Sequence, residues 1–351
     1  MNTAANVLFW VGFAGVLFAV RRQRLVWPLL ALGLLLAFNH AFTPGFFDLT
    51  FRDGHLYGTR IDILNQGAKV MLLSLGMTLV IATGGVDLSV GAVMAIAGAI
   101  VAQLSTAAGC PAWLAIGGAM AAAIAAGAWN GLLVAGFGIQ PIVATLILMV
   151  AGRGVAQLVT DGLIIAFSDP KLAYLGNGFF LGLPFTLTLV LSLFALTQLA
   201  TRGTALGLFI AAVGDNDTAS RFAGVNARAV KWLVYVFAGF CAGLAGLVAA
   251  ANIKSADANN AGLYLELDAI LSVVIGGTAL AGGRFSLLGS VVGALLIQTM
   301  TTTMYARNVS ADVAPVPKAL LTIGVCLLQS EKARRLITRP FQRRRTSVVP
   351  S

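Results

Sequence analysis

Charge, histidine and cysteine are all scarce in this chain. Hydrophobic residues make up 58% and charged residues 10%, far below the roughly 25% charge of an ordinary soluble domain. Long segments carry no charge at all, which argues against a soluble globular fold and for an integral membrane protein. Cys110, Cys241 and Cys326 stand at unrelated spacings in apolar surroundings. That pattern fits small packing residues and gives no metal or redox framework. His40 and His55 are isolated, which argues against a His-based metal centre or proton relay. No Gly-Lys dipeptide occurs, so a Walker A phosphate loop is excluded and nucleotide is not bound by that route. The apolar segments carry neither a Ser/His/Asp set nor a metalloprotease motif. No catalytic residue, metal or cofactor is expected on this chain, and no inter-span segment is large enough for a separate soluble domain.

What is present is a series of apolar runs long enough to cross a bilayer. They predict an all-α integral membrane protein, a polytopic helical bundle of eleven spans with broken helices. The spans are read at 4–20, 25–42, 63–83, 88–108, 112–135, 140–159, 183–200, 232–251, 266–281, 286–304 and 316–330. The first is not a signal peptide, because its basic cluster Arg21, Arg22 and Arg24 follows the apolar stretch instead of preceding it. Alternate threading puts fifteen basic residues against three acids on one side, and six bases against nine acids on the other. The positive-inside rule then places the C-terminus in the cytoplasm. The net charge of +10 reads as topology and attraction to anionic lipid, without nucleic acid. Three regions follow: an N-terminal span and basic turn at 1–24, a core at 25–330, and a basic tail at 331–351.

The most informative stretch runs from Met77 to Val101, an apolar run holding Gly84, Gly85, Asp87, Ser89 and Gly91. Freed backbone groups at such a break find no partner in lipid, so the break must be buried in protein or line a wet cavity. Asp87 suits an N-cap for the following helix. Two readings stand: a structural cap, or a cap whose helix end faces a transport route. Gly84-Gly85 and Gly282-Gly283 are each followed at equal spacing by a Gly and a Val, a weak internal echo. Other polar residues within spans are Asn65, Gln66, Asn130, Gln140, Thr145, Arg153, Gln157 and Gln298. Arg153 and Gln157 share a helix face. Arg153 either snorkels to the interface or turns inward toward a solute. Neutral donors and acceptors outnumber charges here, which suits a neutral polyhydroxyl solute. Asn65, Asp87, Asn130, Gln140, Thr145, Arg153 and Gln157 are the candidate pathway residues.

Between the spans, Asn216 to Gly224 predicts a short surface helix of about two turns, with Asn216 as N-cap, Asp217 in the first turn, Gly224 at C′ and Phe222 exposed. It is either a connector or a docking element for a cytoplasmic partner.

Three stretches carry a resemblance. Ile81 to Gly91, then Ala211 to Asn216 with Ala223 to Asn226, and Gly283-Arg284-Phe285 with Gly289 to Ala294, resemble the motifs of the permease subunits of bacterial ABC importers for monosaccharides, the ribose-type branched family. The likeness covers roughly residues 40 to 330. Permeases of galactofuranose importers read almost in register at Ile61 to Asn65, Gln140 to Gly154 and Ala256 to Gly262. The resemblance implies an inner-membrane subunit with no catalysis of its own, moving a monosaccharide inward by alternating access. It implies a second permease chain, a separate ATPase carrying ATP and Mg, and a periplasmic sugar-binding protein. Asn216, Asp217, Arg221, Phe222 and Gly224 become the expected ATPase-coupling residues, and Asp257, Asn259 and Asn260 the expected contact with the binding protein. The span at 4–20 is extra to the family pattern. An ion-coupled transporter and a passive channel are the rival readings. The lack of paired acids along the spans argues against proton coupling.

Overall fold

The computed structural model describes residues 25–329 apart from 53 and 311, together with Trp10, Gly12 and Gly15. The remainder of the expected first span and basic turn, and the tail at 331–351, lie outside the described residues.

Thirteen helices follow in order among the described residues: α1 (Val26–Phe42), α2 (Thr59–Ala82), α3 (Val90–Thr106), α4 (Ala112–Gly131), α5 (Pro141–Val159), α6 (Pro170–Asn177), α7 (Phe185–Gly203), α8 (Leu206–Asp215), α9 (Asp217–Phe222), α10 (Ala227–Ile253), α11 (Leu265–Ile275), α12 (Leu287–Ala306) and α13 (Pro315–Gln329). Among the described residues, six segments are long and apolar enough to cross a membrane: α2, α4 with the π-helical turn Leu132–Gly136 that continues it, α5, α7, α10 and α12. Shorter apolar helices are α1, α3, α8 and α13. Three antiparallel pairs of two- or three-residue strands interrupt the all-α pattern. One of them joins Ile165–Ala166 to Ser255–Ala256, tying the segment after α5 to the segment after α10.

The core is organised around α10. Small residues let its backbone approach three neighbours. A Cβ on Gly76 would lie 2.9 Å from the Ala238 Cα, and one on Gly239 would lie 2.9 Å from the Gly127 Cα. Gly246 sits against the backbone of Met94, and Gly98 against Ala250. Contacts from Gly76 to Ala238 and from Gly85 to Tyr235 run antiparallel, whereas those from Met94 to Gly246 and Gly98 to Ala250 run parallel. Hence α2 and α3 point in opposite directions with α10 between them. The glycine break is a chain reversal joining two helices, at the turn between the spans read at 63–83 and 88–108.

The span expected at 266–281 differs too. Helix α11 has only 11 residues, about 16 Å at 1.5 Å per residue, half of a hydrocarbon core of about 30 Å. Gly277 takes φ +87°, which ends the helix, and the chain turns through Gly282 and Gly283 before α12. Gly276 packs against Gly289, and Gly293 against Ser272, so α11 and α12 form a tight antiparallel pair. Glu266, Asp268 and Lys318, which the charge tally assigns to the outer side, are buried in the bundle.

Candidate solute cavity and coupling face

The residues expected to line a pathway fall into separate places. Asp87, Asn130 and Thr145 form one buried cluster. Asp87 Oδ1 accepts the Ser89 backbone N–H at 2.9 Å and the Ser89 hydroxyl at 2.6 Å. Asn130 Nδ2 donates to Ser89 Oγ at 2.8 Å, and Thr145 Oγ1 donates to the carbonyl of Pro141 at 2.9 Å. This corrects the capping assignment. Ser89 occupies the N-cap position of α3, without a side-chain cap bond, and Asp87 instead satisfies Ser89 two residues on, as Asx turns do. Gly84 supplies φ +80° for the reversal, and Gly85 leaves room for the Tyr235 hydroxyl, which would lie 2.6 Å from a Cβ there. Asn65 Oδ1 accepts the Thr186 hydroxyl at 2.7 Å, joining α2 to α7. Gln140 stands at the N-cap position of α5 and borders a hollow beside α9.

Arg153 turns inward. Its guanidinium donates to the carbonyl of Ala258 at 3.2 Å and to that of Ala261. Those carbonyls belong to a non-helical segment between α10 and α11, bracketed by Lys254 at φ +52° and Tyr264 at φ +63°. Asp257 Oδ1 accepts the N–H groups of Asn259 and Asn260 at 3.0 and 3.1 Å, and Oδ2 accepts Asn260 Nδ2 at 2.8 Å. Gln157 Nε2 donates to Asn259 Oδ1 at 2.7 Å. Partial burial opposes the Asp257 charge, but these donors and the Arg153 charge outweigh it and hold its pKa below the ordinary value. The segment then packs Gly262 against Gly91 at the start of α3. Irregular backbone among membrane helices persists where protein or a cavity satisfies it. Arg153, Gln157 and Asp257 supply that satisfaction here.

This segment borders the largest cavity described, about 930 Å³, within the roughly 300–1,000 Å³ typical of small-molecule sites. Its walls come from α2, α11, α12 and α13, with Gln66, Lys69, Asn260, Gln298, Thr302 and Lys318 among the polar groups. Lys69 Nζ donates to Gln66 Oε1 at 2.7 Å, and Lys318 Nζ pairs with Asp268 Oδ2 at 2.7 Å. A second cavity of about 320 Å³ shares Lys69 and Asn260 and opens toward α3 and α10. Of the expected pathway residues, none lines either cavity. Asn260, expected to meet a soluble partner, lines both, and Asp257 lines the smaller. The Asp268–Lys318 pair was missed, although acids in a short apolar segment and a lysine in the last span signal buried pairing.

At the opposite end of α2, the loop from α8 to α10 takes the expected form. Asn216 Oδ1 accepts the Ala219 N–H at 2.9 Å, capping α9. Gly224 at φ +85° ends it in a Schellman motif, with Gly224 N–H on Arg221 O and Val225 N–H on Ser220 O. Asp217 pairs with Arg221 at 2.9 Å and with Lys231 at 2.7 Å. Burial disfavours its charge, but the bonds from both cations prevail and set its pKa below the ordinary value. Phe222 is 89% exposed. One helix earlier, Gly214 of α8 abuts the Ala82 carbonyl, which also accepts the Gly283 N–H at 2.9 Å. The loop bearing α9 is thus seated on the end of α2 and on the turn between α11 and α12.

A helical membrane bundle with a largely apolar cavity that carries several polar side chains, and with a short capped helix displayed beyond its core, has the make-up of a membrane permease. Residues 59–326 match the family described as branched-chain amino acid transport system / permease component, and the chain belongs to that family. It is 52% identical over 321 residues to the galactofuranose transporter permease protein of Escherichia coli, covering 90% of this chain and 94% of the relative. It is 41% identical to the fructose import permease protein of Bifidobacterium longum, with 90% of each chain covered. Identity to the ribose import permease protein of Escherichia coli is 33%, over 87% of this chain and 93% of the relative. No solved structure matches the chain.

Proposed function

We propose that this chain is the permease subunit of a bacterial ATP-driven importer that moves a neutral monosaccharide, with a galactofuranose-like sugar the best candidate. A pair of permease chains, a separate ATPase carrying ATP and Mg, and a periplasmic sugar-binding protein complete the machine. It sits in the inner membrane with its C-terminus cytoplasmic and its basic residues toward anionic lipid. The identity of 52% to a galactofuranose permease along nearly the whole chain supports the sugar class. Fructose and ribose relatives keep other monosaccharides as the alternative.

The observation that carries the mechanism is the seating of Gly214 on Ala82. ATPase closure pushes α9 through Phe222, Arg221 and Asp217. The thrust passes into α8 and reaches the end of α2 and the Gly282-Gly283 turn together. Both α2 and α11 wall the large cavity, so the push reshapes it and alternates its access. Asp257, Asn259 and Asn260 remain candidates for contact with the binding protein, and Asp87, Asn130 and Thr145 for the substrate pathway. An ion-coupled transporter is the rival reading, with Asp87 as the coupling acid.

The test is to purify the chain with its ATPase and soluble receptor and to measure which sugar accelerates ATP hydrolysis. Stimulation by one monosaccharide through the receptor supports the assignment. Hydrolysis indifferent to every sugar and to the receptor overturns it.

A further inference from the structure

Lys69 stands within the apolar helix α2, on the wall common to the two cavities. Its ammonium donates to Gln66 Oε1 at 2.7 Å. The ion pairs found among the described residues use Asp217 and Asp268 and leave Lys69 without a carboxylate partner. An intramembrane cation lacking a counter-ion is costly, and its retention points to use. An ammonium has three N–H donors, so two remain for whatever enters the cavity.

The surroundings indicate what that is. Asn260 is carried to the same two cavities by the segment that Arg153 anchors. Gln298 and Thr302 of α12 add neutral donors and acceptors to the larger one. The other lysine on that wall, Lys318, is already engaged by Asp268. Asp62, Asp268 and Asp312 also border the larger cavity, so charge does not select the solute, while amides and hydroxyls match one that both donates and accepts. Hydroxyl oxygens of a sugar accept from an ammonium, and sugar hydroxyl protons find the amide oxygens of Asn260 and Gln298. We infer that Lys69 is the charged donor that holds a sugar hydroxyl during passage through the cavity. This rests on the sugar-importer reading above.

The test uses the complete complex in liposomes, with radiolabelled D-galactose, D-fructose and D-ribose as probes, each delivered with the soluble receptor. Uptake and receptor-stimulated ATP hydrolysis are measured together. Lys69→Met is expected to lower uptake by about 10- to 100-fold, the range for losing a charged hydrogen-bond donor, while stimulated hydrolysis persists. Lys69→Arg is expected to keep part of the uptake. Unchanged uptake in Lys69→Met overturns the inference, and so does a parallel loss of uptake and hydrolysis, which would mark a coupling or assembly role. If Lys69→Met does not assemble, the same paired readout on Asn260→Ala decides it, with unchanged uptake again the contrary result. A wild-type complex that moves none of the three sugars overturns the importer reading itself, and the inference with it.

Discussion

Gly214 of α8 meets the Ala82 carbonyl at the last residue of α2 with no space left for a side chain. The same carbonyl receives the Gly283 N–H at 2.9 Å. One acceptor therefore joins the loop that displays α9 to both turns at this end of the bundle. A methyl group at Gly214 must push backbone apart, because the neighbours are Ala82 O and Gly283 N, not flexible side chains. Gly214→Ala is expected to destabilise the fold by about 1–3 kcal/mol, as overpacking does. In protein that still assembles, it is expected to sever ATP hydrolysis from uptake. Thermal unfolding in detergent and paired hydrolysis and uptake assays check both.

The ion pair between Asp268 and Lys318 is buried on both sides. Removing one partner leaves the other charge uncompensated, at a cost of roughly 3–5 kcal/mol. Lys318→Met and Asp268→Leu are each expected to lower thermal stability sharply, and the double variant to recover much of the loss. A double-mutant cycle on unfolding temperature measures the coupling.

Asp87 has a local task that its neighbours define. Asp87→Asn keeps a side-chain oxygen for the Ser89 N–H and is expected to be mild. Asp87→Ala leaves two buried donors without a partner and is expected to cost about 1–3 kcal/mol. If Asp87→Asn assembles normally but loses uptake, Asp87 has a role in transport beyond this structural one.

Phe222 touches little of its own chain, being 89% exposed. Phe222→Ala is expected to leave the unfolding temperature unchanged and to abolish ATP-coupled uptake. Asp217 behaves differently, because Arg221 and Lys231 hold its pKa below the ordinary value. Its contribution to stability is complete above its unfolded pKa of about 3.9 and is lost as pH falls through the lower folded value. Asp217→Asn is expected to flatten that acid limb of the stability curve and to leave the neutral range independent of pH.

What the sequence reveals divides by range. The caps of α9 are legible because Asn216 and Gly224 act within a few residues of themselves. The long helices are legible as uninterrupted apolar runs. Where non-local packing decides, reading along the chain fails. The stretch 266–281 looks like a full span until Gly277, at φ +87°, is seen to end the helix beside the Gly276–Gly289 contact. Asp257 to Gly262 looks like an outer loop. Arg153, more than a hundred residues earlier in the chain, draws it into the bundle. Asp87 sits where a cap belongs, yet Ser89 takes the N-cap place. The cavity is the least legible feature, since its walls join α2 to α11, α12 and α13 near the other end of the chain.

The most direct measurement is sugar uptake into liposomes holding this chain, with and without its ATPase, under ATP and with ion gradients collapsed by ionophores. The expected result is uptake that requires the ATPase and the soluble receptor and is indifferent to the ionophores. Uptake by this chain alone, driven by an ion gradient and abolished by its collapse, would contradict the account.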